Sequence, residues 1–237
     1  MMNNKLVAIF AVAVIVVAGA GIAYMLTRDN VSDGNTITDA RGRNVTVPEE
    51  INSIFAMKAC SLQSVSYFDA VNKVTYLDIN ESFKDTDNRT HSFVLKDLLK
   101  DLPRVDSSDA EQVVATGVDI VISSTVDVSK LDDEQNRFGI PVFAINADVE
   151  FDSDLLFDQI LSLGKLFKEE ARAKEVVDGM RAMIKDITNN VGNADGKAYA
   201  CGMNFFGAAP DPFLRTSGNY LPFEYSKIGN IYEPVIG

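Results

Sequence analysis

The chain contains no tryptophan, a single histidine (His91), only two cysteines (Cys60 and Cys201) and fewer basic than acidic side chains. Each shortage excludes something. One histidine cannot furnish a His-rich zinc site, and it makes a Ser-His-Asp triad improbable. Two cysteines are too few for a disulfide scaffold and lack the CxxC spacing of a metal knuckle. Lys and Arg number 22 against 34 Asp and Glu, a formal net charge of −12, with an isoelectric point near 4.5. Phosphate backbones and anionic lipid surfaces both require clustered Lys and Arg, so neither nucleic acid nor a peripheral membrane surface is an expected partner. No G-x-x-x-x-G-K-[ST] phosphate loop, G-x-S-x-G elbow or D-x-D-x-D-G calcium loop occurs, which leaves hydrolase and EF-hand readings without a site.

What remains is ample for a globular core: 237 residues, 46% hydrophobic and 9% aromatic. At roughly 150 residues per domain, one to two domains are expected. From Leu6 to Leu26 the sequence carries no charge, and about 21 apolar residues can span about 30 Å of hydrocarbon as a helix. Two readings stand: a secretory signal cut at Ala18-Gly19-Ala20, or a retained transmembrane anchor. Both export the remainder of the chain. Residues 28–36 form a short polar linker. Sequons at Asn44, Asn80 and Asn88 decide nothing, since about two would arise by chance in a chain this rich in Asn, Ser and Thr.

Beyond the linker, short β-rich runs alternate with helical stretches. Residues 37–39 and 45–47 read as a hairpin turning at Arg41-Gly42. INSIFAM (51–57), VTYL (74–77), VDIVIS (118–123) and PVFAIN (141–146) read as strands. Helices are expected at 62–68, at 110–116 with Ser108 as N-cap and Glu111 three residues on, and at 126–138 ending at Gly139. Residues 79–92 read as a loop. Strands at this spacing with helices between them imply βαβ units and a parallel sheet, hence an α/β fold. Residues 152–190 keep helical periodicity throughout, with Gly164 expected to break or bend them, giving a shorter helix and a longer one from near Lys168. A strand is expected at 197–203 and a helix at 221–228.

In this order the segments TDARGRNVTVP (38–48), SIFAM (53–57), EQVVATGVDIVIS (111–123), GIPVFAIN (139–146) and LGKLFKEEARAKEVV (163–177) resemble the ABC-transporter substrate-binding proteins of the iron-siderophore/cobalamin type. The resemblance implies two α/β lobes joined by a long helix, with ligand held between them. It divides the chain into a signal or anchor (1–29), an N-terminal lobe (30–150), connecting helices (151–192) and a partial second lobe (193–237). That second lobe is short for the family and reads as truncated. The family's permease-docking glutamate falls in register with Gln63, and a glycine usual near the end of the same helix is replaced by Asp69.

Ligands of open parallel sheets bind outside the carboxyl ends of the strands. Those ends here are residues 58–61, 78–80, 123–125 and 146–148, so Lys58, Ser61, Ser124 and Asn146 are candidate ligand contacts. Phe205 and Phe206, with Tyr220, either face a flat macrocycle or plug the core of the second lobe. Asp132-Asp133-Glu134 and Asp152/Asp154 read as solvated helix ends. Cys60 is a buried thiol, a partner for Cys201 in an exported disulfide, or a nucleophile with no histidine near it in sequence. The expected function is capture of a metal chelate or corrinoid for an ABC permease, with no resident cofactor or metal. A non-transporting remnant or surface-anchored interaction module, and an exported enzyme using Cys60, are the competing readings.

Overall fold

A computed structural model of the chain describes residues 35–58, 60–79, 90–147, 153–191, 197–198 and 221–230. The expected Leu6–Leu26 helix, Phe205, Phe206, Tyr220 and Cys201 lie outside these residues. So does any bridge that Cys60 would make to Cys201. Residues 35–62 with 72–145 form one compact unit, and residues 63–71 with the chain from 146 onward form a second.

The first unit opens with antiparallel strands β1 (Thr36–Thr38) and β2 (Asn44–Thr46). Gly42 sits at φ 77° in the turn between them, a conformation that costs a residue without Cβ little. The main sheet is parallel throughout. Its strands are β3 (Ile54–Met57), β4 (Val74–Asp78), β5 (Arg104–Val105), β6 (Ile120–Ser123) and β7 (Val142–Ala144), in spatial order β5-β4-β3-β6-β7. Helices α1 (Ser61–Val65), α2 (Thr90–Leu99), α3 (Ala110–Thr116) and α4 (Val128–Phe138) follow β3, β4, β5 and β6 in turn. This is the α/β class with a parallel sheet that the strand spacing predicts.

Every residue of β3, β6 and β7 is buried, which is why these strands read as continuous apolar runs and not as alternating ones. Phe55, Met57, Val121 and Val142 join Val113 of α3 and Leu131 and Phe138 of α4 in one cluster. Each such side chain contributes about 1.5–3 kcal/mol by leaving water. Ile54, Ile120, Ile122 and Phe143 of these strands alternate to the opposite face and are equally inaccessible.

The hairpin is fastened to β7 through polar groups. Asp39 Oδ2 accepts the Ala144 N–H at 3.2 Å, and Ala144 O accepts the Ala40 N–H at 3.1 Å. Arg43 donates to the Val142 carbonyl at 3.2 Å, and Gln135 Oε1 accepts the Val142 N–H, also at 3.2 Å.

Three local expectations need correction. The segment 79–92 is not loop to its end, since α2 starts at Thr90. Helix α3 is capped by Asp109, not Ser108: its carboxylate accepts the N–H groups of Glu111 and Gln112, and both reach Oδ1. A carboxylate at an N-terminus satisfies orphan donors and meets the positive end of the helix dipole. Gly164 does not break the helical stretch it sits in.

In the second unit, α5 runs Asp154–Phe167 from a Ser153 N-cap and α6 runs Glu170–Asn190. The joint is Lys168-Glu169, with Lys168 left-handed at φ 58°. Gly164 lies buried inside α5, where a Cβ would collide with that of Ala173 on α6. Both oxygens of the Glu169 carboxylate accept backbone N–H groups, from Asp69 and Ala70, at 3.0 Å. Arg172 donates to the Tyr67 carbonyl at 3.1 Å, and the Phe68 and Phe167 rings lie 5.5 Å apart. A one-turn helix α7 (Leu221–Tyr225) and a two-residue parallel pair, β8 (Lys197–Ala198) with β9 (Gly229–Asn230), complete the described residues.

Candidate functional site

Strands leave β3 in two directions: β4 and β5 are laid down on one side, β6 and β7 on the other. The reversal falls between β3 and β6, and open α/β sheets hold ligands at the carboxyl ends of the strands at such a switch point. Lys58 succeeds β3 at that point. Its backbone is left-handed at φ 65°, as is that of Cys60 at φ 66°. Side chains with a Cβ pay for this conformation, and strained residues of this kind gather at binding sites.

Lys58 is held from three sides. Its N–H donates to Asp78 Oδ2 at 3.2 Å, at the end of β4. Its ammonium meets Glu134 Oε1 at 2.6 Å and also donates to Thr125 Oγ1. The Thr125 hydroxyl lies 3.1 Å from both Glu134 oxygens, and Ser123 donates to it at 3.0 Å. The Lys58 and Glu134 side chains are 36% and 14% exposed, so the pair is neither fully solvated nor sealed. Its Coulomb energy is therefore less screened than that of a surface pair. Next to this cluster Asp127 caps α4. The Ser129 hydroxyl, then its backbone N–H, hold the Asp127 carboxyl below the usual carboxylate range.

The other candidates fall in different places. Ser61 is fully buried and its hydroxyl donates to the Met57 carbonyl at 2.6 Å, fastening α1 to the end of β3. Ser124 is half-buried between Ser123 and Thr125. Asn146 belongs to the second unit, where its N–H donates to the buried Gln159 at 2.6 Å. Gln63 is exposed and belongs to the same unit. The cluster thus joins Lys58 to residues that the candidate set lacks, Asp78, Thr125 and Glu134.

From the sequence, Glu134 is expected at a solvated helix end. Yet it lies three residues after Leu131 and four before Phe138, both buried, so helical periodicity places it on the inward stripe. That spacing is the signal by which it could have been found. Its neighbour Asp132 is exposed but bonds Arg43 at 3.1 Å.

With the site in place, comparison with known proteins is decisive for the family. The sequence profile described as periplasmic binding protein matches residues 80–230. The chain belongs to the periplasmic binding protein family. Solved periplasmic binding proteins share its fold. The TroA-like FepB from Veillonella parvula is 20% identical with a TM-score of 0.59, covering 85% of this chain and 63% of that one. MolA from Haemophilus influenzae, bound to molybdate, is 19% identical with a TM-score of 0.52, covering 67% and 55%. An ABC-type Fe3+-hydroxamate transport protein from Saccharomonospora viridis is 20% identical with a TM-score of 0.51, covering 66% and 56%. At such identities these likenesses show the fold alone. The chain spans about half of MolA's length, 55%. No curated protein sequence matches it.

The periplasmic binding protein family works outside the cytoplasm, and membership places this chain there. Among the described residues no helix is long and apolar enough to cross a membrane.

Proposed function

We propose that the chain is the solute-binding component of an ABC importer and that its cargo is a metal chelate of the ferric siderophore kind. The observation that carries this reading is the part-buried Lys58–Thr125–Glu134 cluster at the switch point of the sheet. It puts a positioned ammonium and a carboxylate where the fold holds ligands. A chelate's periphery of carbonyl and hydroxyl oxygens and apolar linkers offers partners to both. No bond is made or broken; ligand contacts stabilise one conformation over another.

In this reading Lys58 and Ser124 touch the cargo from the first unit, and Asn146, Phe205 and Phe206 supply further contacts. Gln63 stands where the permease is met. The uncharged run Leu6–Leu26 exports the chain, either as a tether or as a signal that is cut. A corrinoid is the second cargo class. The proposal is tested by thermal unfolding of the full chain in detergent against ferric hydroxamates, ferric catecholates and corrinoids. A saturable rise in midpoint with one class is expected, lost in Lys58→Ala. Unchanged midpoints across all of them would sink the reading.

A further inference from the structure

We infer that the carboxyl edge at Lys58 rejects anionic ligands and selects a neutral or cationic chelate, with Glu134 as the discriminating residue. The inference rests on the solute-binding reading above and narrows its cargo.

Capture of an oxyanion requires hydrogen-bond donors that point outward and a cation that is not already neutralised. Among the described residues of this edge, the donors other than Ser124 are largely engaged. The Lys58 N–H goes to Asp78 and the Ser61 hydroxyl to the Met57 carbonyl. The Ser123 hydroxyl goes to Thr125, the Thr125 N–H returns to Ser123 at 3.2 Å, and the Thr125 hydroxyl faces Glu134. Two of the three ammonium protons of Lys58 go to Thr125 and Glu134. One proton is left for a ligand, on a cation whose charge is balanced at 2.6 Å.

The wider edge has the same sign. Strands β4, β5 and β6 lead into Asp78, Asp106 and Asp127, and α4 adds Glu134. Among the described residues, Lys58 and, in the first turn of α4, Lys130 stand against these four carboxylates. An anionic ligand would meet described residues of net negative charge and would have to break the Lys58–Glu134 pair to gain the Lys58 cation. Like-charge juxtaposition of this kind is a strong discriminator between partners. A neutral or cationic chelate needs neither change. It meets carboxylate oxygens with its own donors and the remaining ammonium proton with one acceptor.

The test titrates the full chain with four probes: a cationic ferric tris-hydroxamate, a neutral corrinoid, a trianionic ferric tris-catecholate and molybdate. The cationic or neutral probe should bind at least about tenfold tighter than either anion. Glu134→Gln, which releases Lys58, should narrow that ratio about tenfold, whereas Asp133→Asn should leave it unchanged. Asp133 is exposed and beside Glu134 in sequence, so the second variant makes the same change in total charge away from Lys58. Tighter binding of molybdate or the tris-catecholate by the unaltered protein overturns the inference alone. Equal narrowing by both variants assigns the preference to overall charge and overturns the role of Glu134. No binding of any probe overturns the solute-binding reading, and the inference falls with it.

Discussion

Asp39 ties the amino-terminal hairpin together and to β7. Its carboxylate is closed to solvent, accepts the N–H groups of Arg41 and Arg43 through Oδ1 at 2.9 and 3.0 Å, and lies 3.7 Å from the Arg43 guanidinium. Through Oδ2 it also holds Ala144. Asp39→Ala leaves these backbone donors and part of the guanidinium without partners, and removing one member of a buried charged pair costs about 3–5 kcal/mol. A fall in urea midpoint of that size, with little change in m-value, is the expected result. Asp39 is legible in the sequence only as a hairpin residue, because period-2 patterning reports which face a strand buries and not what its polar ends bind. Lys58 is legible as a candidate for a different reason: it directly succeeds an apolar run, and strand ends carry function in this class of sheet. Its partner Glu134 lies 76 positions away, and no local pattern encodes a contact at that separation.

At the scale of elements the junction of α5 and α6 is the most informative. A glycine inside a helical pattern suggests a break, because glycine costs about 0.5–1 kcal/mol relative to alanine in a helix interior. In this chain the cost is accepted for close packing, and the break falls at Lys168-Glu169. Propensity alone favours Gly164→Ala. The clash with Ala173 Cβ opposes it, and overpacking of a buried contact costs about 1–3 kcal/mol. We expect the clash to win, with Gly164→Ala lowering the thermal midpoint. Adding Ala173→Gly should recover part of the loss, because it removes the atom in the way; a double variant no better than the single would place the strain elsewhere. The elements that sequence patterning misses have a common cause. Helix α2 shows little amphipathic contrast, with Phe93, Val94 and Leu98 exposed, and β5 has two residues. Strands β3, β6 and β7 are legible because burial on both faces writes itself as a continuous apolar run.

For the molecule as a whole, the net charge of −12 acts at distances that no contact reaches. Screening shortens that reach to about 8 Å at physiological ionic strength. If the cargo is cationic, its association rate should fall as salt is raised from about 10 mM to about 500 mM, while its dissociation rate stays nearly constant. Stopped-flow measurement of both rates checks this; a salt-independent association rate would remove long-range steering from the account.

The fastening of the hairpin has a further consequence at this scale. A parallel sheet of five strands ends in two edges, and an unpaired edge is a template on which another chain can add a strand. Here one edge is β5, too short to serve. At the other, the N–H and carbonyl groups of Val142 and Ala144 are each taken, by Gln135, Arg43, Asp39 and Ala40. The hairpin and α4 therefore stopper the sheet. A protein that works in a crowded extracytoplasmic space keeps its most apolar strands from recruiting copies of themselves.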